Sequence, residues 1–223
     1  MDSLMRARAL VVGGSGGLGR ALVARLSAEG AQVVTVARKP ADVPGAVAHI
    51  VGDVTSADDR ERMLDDAAAS LGGLDLVILA SGVVGFSPAA TQRSDDLSNL
   101  IDADLTGPLA LLGLSAAAVD DGGAIVVLTG AIVDGPIPGT SAYAAAKAGL
   151  SVAAGVVGRE VRSRGVTVMD ARPPHTETGL ASRAVFGEAP AFRTGLDPAT
   201  VADRIVAGIL AGERELPPAA FAS

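Results

Sequence analysis

Short, nearly continuous apolar runs alternate with longer amphipathic stretches from one end of this chain to the other, and few folds tolerate that alternation. Ala7–Val12, Gln32–Ala37, Ala46–Val51, Leu74–Leu79, Ala124–Thr129 and Val166–Ala171 read as strands. Most are almost pure Val, Ile, Leu and Ala, as expected of strands covered on both faces. Leu18–Glu29, Ala57–Leu71, Ser94–Val119, Thr140–Arg164 and Asp197–Glu213 read as helices, the last with Asp197 as N-cap and Pro198 in its first turn. The pattern predicts an α/β fold: one doubly wound domain over residues 1–223, with a six- to seven-stranded parallel sheet and right-handed crossovers. Ligands of such sheets bind at the carboxyl ends of the strands.

Composition removes several alternatives. Of the 223 residues 49% are hydrophobic and 19% charged, which excludes a disordered chain and suits a single large core. There is no cysteine, so disulfides, thiolate metal sites and a Cys nucleophile are excluded. The two histidines, His49 and His175, are far apart, and no metal site is expected. A net charge of -7 and only 2% aromatics argue against a nucleic-acid partner or an anionic membrane. The longest uncharged stretch, Leu76–Gln92, contains Gly, Ser and Pro and reads as core plus loop. The N-terminal residues lack a signal-peptide pattern, and the expected location is cytoplasmic.

The first strand runs into Gly13-Gly14-Ser15-Gly16-Gly17-Leu18-Gly19, and a helix follows. Gly14, Gly16 and Gly19 fit G-x-G-x-x-G; Gly13, Gly17 and Gly19 fit G-x-x-x-G-x-G. In either register the backbone can approach a pyrophosphate closely, and the helix N-terminus supplies free N–H groups and a positive dipole end. Dinucleotide sites of this kind that take NAD place an acid after the second strand. Here that place holds Ala37, Arg38 and Lys39. Two cations beside a small residue suit a ribose 2′-phosphate, so NADP(H) is expected over NAD(H); a solvated basic turn is the plain alternative. Asp53, after the third strand, stands where an acid can reach an adenine amino group, or where it opens the next helix behind a Thr55 or Ser56 cap.

The one tyrosine, Tyr143, lies four residues before one of only two lysines, Lys147. Chance gives this spacing about 1% of the time. On a helix the two side chains share a face. An ammonium about 5 Å from the phenol, at an effective dielectric of about 20, would favour phenolate by roughly 3 kcal/mol, a downward shift of about two units. Such a tyrosine can protonate a carbonyl oxygen as hydride reaches the carbon, and can run the reverse.

These residues together resemble the short-chain dehydrogenase/reductase family over roughly residues 7–215, which implies a single Rossmann-type domain. Gly13, Gly17 and Gly19 match its T-G-x-x-x-G-x-G turn, with Val12 in place of Thr. Asp53-Val54 matches its adenine-binding pair, and Tyr143 and Lys147 match its catalytic Tyr-x-x-x-Lys. Pro173-Pro174-His175-Thr176-Glu177-Thr178 occupies its P-G-x-x-x-T position. The resemblance therefore implies cofactor contacts from Gly13, Ser15, Gly16, Gly17, Leu18, Gly19, Arg38, Lys39, Asp53 and Val54. It implies further contacts from Ala80, Ser81, Gly82, Tyr143, Lys147, Pro173, Thr176 and Thr178.

The chain also departs from the family pattern. The N-N-A-G motif appears as Leu79-Ala80-Ser81-Gly82. The catalytic Ser position is Gly130, with Thr129 beside it as a weak substitute; Thr140, Ser141, Ser81 and His175 are other candidates. The catalytic Asn position is Asp104, and Pro108 four residues on is expected to kink the helix and free the Asp104 carbonyl. Residues 177–196 match the family's substrate lid, and Leu216–Phe221 its short last strand. The long helices match those that form its homodimers and homotetramers. The implied activity is NADP(H)-dependent hydride transfer between nicotinamide and a carbonyl or alcohol, with Tyr143 as acid/base assisted by Lys147. The alternative is a catalytically weak dinucleotide-binding sensor or scaffold.

Overall fold

Alternate residues of each strand enter opposite cores, and this divides the molecule into three layers. The computed structural model describes residues 3–222. Seven parallel strands form one sheet in the order β3-β2-β1-β4-β5-β6-β7. They are β1 (Arg8–Val12), β2 (Gln32–Ala37), β3 (Ala46–Val51), β4 (Leu76–Leu79), β5 (Ala124–Leu128), β6 (Thr167–Ala171) and β7 (Glu215–Leu216). On β1, Ala9 and Val11 face one core, with Leu22 and Leu26 of α1 (Gly17–Ala28) and Val201 and Ile205 of α6 (Pro198–Ala211). Leu10 and Val12 face the other, with Met63 of α2 (Ala57–Leu71), Leu112 of α4 (Gly107–Ala118) and Leu150 of α5 (Ser141–Glu160). Burying a side chain such as Leu10 fully contributes about 1.5–3 kcal/mol.

The order reverses between β1 and β4, the strands that begin the two halves of the sheet. Crossovers on either side of that point diverge and leave a crevice beyond the strand ends. The helices that frame it are capped locally. The Ser56 hydroxyl accepts from the Asp59 N–H at 3.3 Å, and Gly72 closes α2 in the left-handed conformation. Asp197 is the N-cap residue of α6, but its side chain makes no cap hydrogen bond, leaving Pro198 as the start signal.

Two sequence expectations need correction. Ser94–Val119 is not one regular helix: α3 (Ser94–Ile101) passes through a π turn at Asp102–Thr106 into α4. Pro108 has no N–H to offer four residues back, and the ladder widens so that the Gly107 N–H reaches the Asp102 carbonyl. The last strand is only Glu215–Leu216; Pro217 ends it, and Pro218–Phe221 is a 3₁₀ turn whose Phe221 returns to the core. By length and apolarity alone Ser94–Ala118 could also cross a membrane, yet Leu100, Leu111 and Leu112 within it are fully buried in this fold.

Candidate active site

The turn between β1 and α1 is built by close backbone approach. A Cβ on Gly19 would lie 2.1 Å from the Gly13 carbonyl oxygen, and one on Gly17 would lie 2.8 Å from Cα of Thr178. Gly16, Gly17, Leu18 and Gly19 thus form one wall of a cavity of about 370 Å³ at the carboxyl ends of the strands. Ala80, Ser81 and Gly82 form the wall after β4. Tyr143 and Lys147 enter from α5, and Pro173, Thr176 and Thr178 from the loop after β6. Thr176 donates to the Pro174 carbonyl at 2.8 Å, which shapes that loop.

Other expected residues lie off this cavity. Gly13 and Ser15 back the glycine turn. Arg38 and Lys39 are exposed beyond β2, and neither has an ion-pair partner among the described residues. Two residues that sequence reasoning missed organise this corner. Arg20 donates to the Ser15 carbonyl at 3.0 Å and to the Asp42 carbonyl at 2.8 Å, tying the glycine turn to the loop after β2. His49 bonds the Thr35 hydroxyl through Nδ1 at 2.9 Å and the Lys39 carbonyl through Nε2 at 3.1 Å. A carbonyl only accepts, so Nε2 carries the proton. Asp53 accepts from both the N–H and the hydroxyl of Thr55 at 2.9 Å, and Val54 presents its carbonyl to Arg60 at 2.7 Å.

The Tyr143–Lys147 pair differs from the expectation in charge. Lys147 is buried, and its Nζ lies 3.4 Å from the Leu128 carbonyl oxygen and 3.8 Å from Oδ2 of Asp104. Asp104 is 0% exposed; its Oδ1 accepts from the Val83 N–H at 2.8 Å. Burial pushes the Asp104 carboxyl up, against the pull of Lys147 and the Val83 N–H. Burial also pushes the Tyr143 phenol well above its ordinary value, and the Asp104 charge adds to that rise. The expected downward shift is therefore reversed. Burial of the phenol is the main cause, and a carboxylate that the π turn brings to the same cation adds to it; the four-residue spacing shows neither.

Replacement of the missing Ser follows a similar pattern. Thr129 donates its hydroxyl to Asp170 of β6, which also accepts from Ser151 at 2.6 Å. That proton is held within the protein's own network rather than offered to a substrate. Gly130 has φ 82° and ψ 163°, a conformation close to glycine-only, so a side chain there would be strained even though only the Pro173 carbonyl, 3.8 Å away, stands near its Cβ position. Of the other candidates, Thr140, Ser81 and His175 line the cavity, and Ser141 does not. Thr140 donates to the Ile137 carbonyl at 2.6 Å, whereas the Ser81 hydroxyl is buried without a hydrogen-bond partner.

Of residues 177–196, Thr178, Leu180, Ala181, Arg183 and Phe192 line the cavity. The segment is pinned at its base, where Leu196 donates to His175 at 2.8 Å and Glu177 donates to Leu196 at 2.9 Å. It is pinned again where Val185 donates to Val84 at 2.8 Å and Phe86 to Phe186 at 3.0 Å. Phe192, itself exposed, stacks on His175 with ring centres 4.7 Å apart. Arg183 reaches back to the Thr178 carbonyl at 3.3 Å beside the glycine turn. Phe86, Ile132, Ile137 and Arg183 are further lining residues that no motif signals.

Comparison with known proteins gives the same frame. The family profile described as short chain dehydrogenase matches residues 7–187. The cyclic-di-GMP-binding biofilm dispersal mediator protein of Escherichia coli is 29% identical over 173 residues, covering 76% of this chain and 73% of that protein. The 3-oxoacyl-(acyl-carrier-protein) reductase of Vibrio cholerae is 29% identical over 219 residues, covering 88% and 87%. The crystal structure of a dehydrogenase/reductase from Sinorhizobium meliloti superposes with a TM-score of 0.85 at 25% identity, over 97% of this chain and 94% of the other. With the glycine turn, the Tyr143–Lys147 pair and the parallel sheet in one arrangement, the chain belongs to the short-chain dehydrogenase/reductase family of oxidoreductases.

Proposed function

We propose that this protein is an NADP(H)-dependent oxidoreductase that interconverts a carbonyl compound and its alcohol. The observation that carries the reading is the presence of Tyr143 and Lys147 in the cavity that the glycine turn also lines. A dinucleotide fits the residues present. The turn leaves a cradle that side chains at Gly17 or Gly19 would fill, and α1 begins there with unpaired N–H groups. When bound, the nicotinamide supplies or accepts hydride. Gly16–Gly19 and the α1 N-terminus would hold its pyrophosphate, and Thr176 and Thr178 its nicotinamide end. Exposed Arg38 and Lys39, on the turn that His49 holds, would bind a 2′-phosphate. Tyr143 gives its proton to the carbonyl oxygen in reduction and takes one from the alcohol in oxidation. Phe86 and Phe192 give the cavity an apolar lining that favours small or moderately apolar substrates.

A second reading, a dinucleotide-binding sensor or scaffold with little turnover, draws on Gly130 and on the committed hydroxyl of Thr129. A fluorescence titration with NADPH and NADH side by side, followed by a panel of aldehydes and ketones, separates the two. Tighter NADPH binding with oxidation on the panel supports the reductase. Binding without turnover supports the sensor, and equal affinity for the two nucleotides removes the role of Arg38 and Lys39. Leu97, Leu109 and Val152 are exposed on α3, α4 and α5 and support a homodimer or homotetramer through these helices, to be checked by light scattering.

A further inference from the structure

Asp104 and Lys147 are buried in the same wall, and the sequence pattern alone assigns Lys147 to the phenol. The geometry gives it a second partner. Oδ2 of Asp104 is buried, makes no hydrogen bond, and lies 3.8 Å from the ammonium. Gly82 leaves the space between them open: a Cβ there would stand 3.1 Å from Nζ and 3.2 Å from Oδ1. At 5.8 Å from the centre of the Tyr143 ring, the ammonium acts on the phenol together with its counter-charge, and the two fields oppose each other.

The other charged groups around Tyr143 are few. His175 and Arg183 also line the cavity, and Glu177 lies 3.7 Å from His175. Residues 80–86 and 129–133, which also line it in part, carry no charge. Asp102 on the π turn and Asp95 on α3 are exposed, and Asp96 is half-buried.

We propose that Asp104 is a positioning residue that offsets the charge of Lys147 and keeps Tyr143 protonated into the alkaline range, setting the site as a proton donor. In reduction the Tyr143 O–H bond breaks, its proton joins the carbonyl oxygen, and tyrosinate regains a proton from solvent. In oxidation tyrosinate must already exist to accept the alcohol proton. Reduction therefore runs undiminished through neutral pH, and oxidation keeps rising into the alkaline range. This rests on the acid–base role proposed for Tyr143, but its main test does not.

Tyr143 is the only tyrosine and there is no tryptophan, so the ultraviolet tyrosinate band reports this one group. An alkaline titration of the native chain and of Asp104→Asn, with folding followed by circular dichroism, is the experiment. The Asn variant keeps an acceptor for the Val83 N–H and removes the charge. Its tyrosinate midpoint is expected to fall by about one to two pH units. A midpoint that stays or rises overturns the proposal. If the Asn variant does not fold, Asp104→Ser, also uncharged, gives the same reading. The alkaline limb of alcohol oxidation should move down by the same amount. A band that shifts in a protein without turnover would leave the Asp104 effect standing and remove the oxidoreductase reading instead.

Discussion

The two ends of β1 meet opposite surroundings. At the amino end the Arg8 guanidinium is fully engaged: it donates to Asp75 at 2.5 and 2.9 Å, to Asp120 at 2.6 Å and to the Gly72 carbonyl at 2.7 Å. Nearby, Arg164 donates to Asp121 at 2.7 Å and to the carbonyls of Ala116 and Val119. At the carboxyl end the Ser81 hydroxyl and one Asp104 oxygen are buried without partners, and Lys147 is held by one long hydrogen bond and a loose ion pair. Two aspartates mark the contrast. The Arg8 guanidinium holds Asp75 below the usual carboxylate range, whereas burial pushes Asp104 above it. One edge has the geometry of a closed structural joint, and the other keeps polar groups unpartnered, as a site with a ligand to bind does.

Substitutions should separate the two edges. Gly19→Val places atoms where the Gly13 carbonyl stands, 2.1 Å from the Cβ position, and should abolish detectable nucleotide binding in a fluorescence titration. Replacing Arg38 and Lys39 together with Ala should weaken NADPH about 10- to 100-fold, the worth of one or two charged hydrogen bonds, and leave NADH unchanged. Arg8→Ala should lower stability by about 2 kcal/mol in urea unfolding while nucleotide affinity and turnover stay as they are. The smallest effect concerns acid. Because the folded pKa of Asp75 is depressed, its contribution is present above the unfolded carboxylate range and lost as pH falls through the folded value. Arg8→Ala should flatten that acid limb of the stability curve.

Much of this was legible because it is periodic or local. Strand runs such as Gln32–Ala37 match the structure residue for residue, since burial on both faces leaves a continuous apolar signature, and the helix Ala57–Leu71 does so because one buried stripe lies between a Ser56 cap and a Gly72 stop. The glycine turn was legible because close approach restricts residue type. What escaped depends on pairs distant in sequence. Asp104 meets Lys147 across 43 positions, and Thr129 meets Asp170 across 41, so neither the Asp104 share in raising Tyr143 nor the capture of the Thr129 hydroxyl has a local signal; the burial that raises Tyr143 most is likewise set by distant packing. The π turn was half visible: Pro108 announced a disruption but not that the ladder would widen rather than break. His49 carries no motif, because its role is to hold a backbone carbonyl.

The most direct test of the account is a comparison of the native protein with Tyr143→Phe, measuring NADPH affinity by fluorescence and NADPH oxidation on a responsive carbonyl substrate. Affinity should be unchanged and turnover should fall by about 10²- to 10⁴-fold, the contribution of a positioned acid. Turnover that survives in the Phe variant would contradict the account.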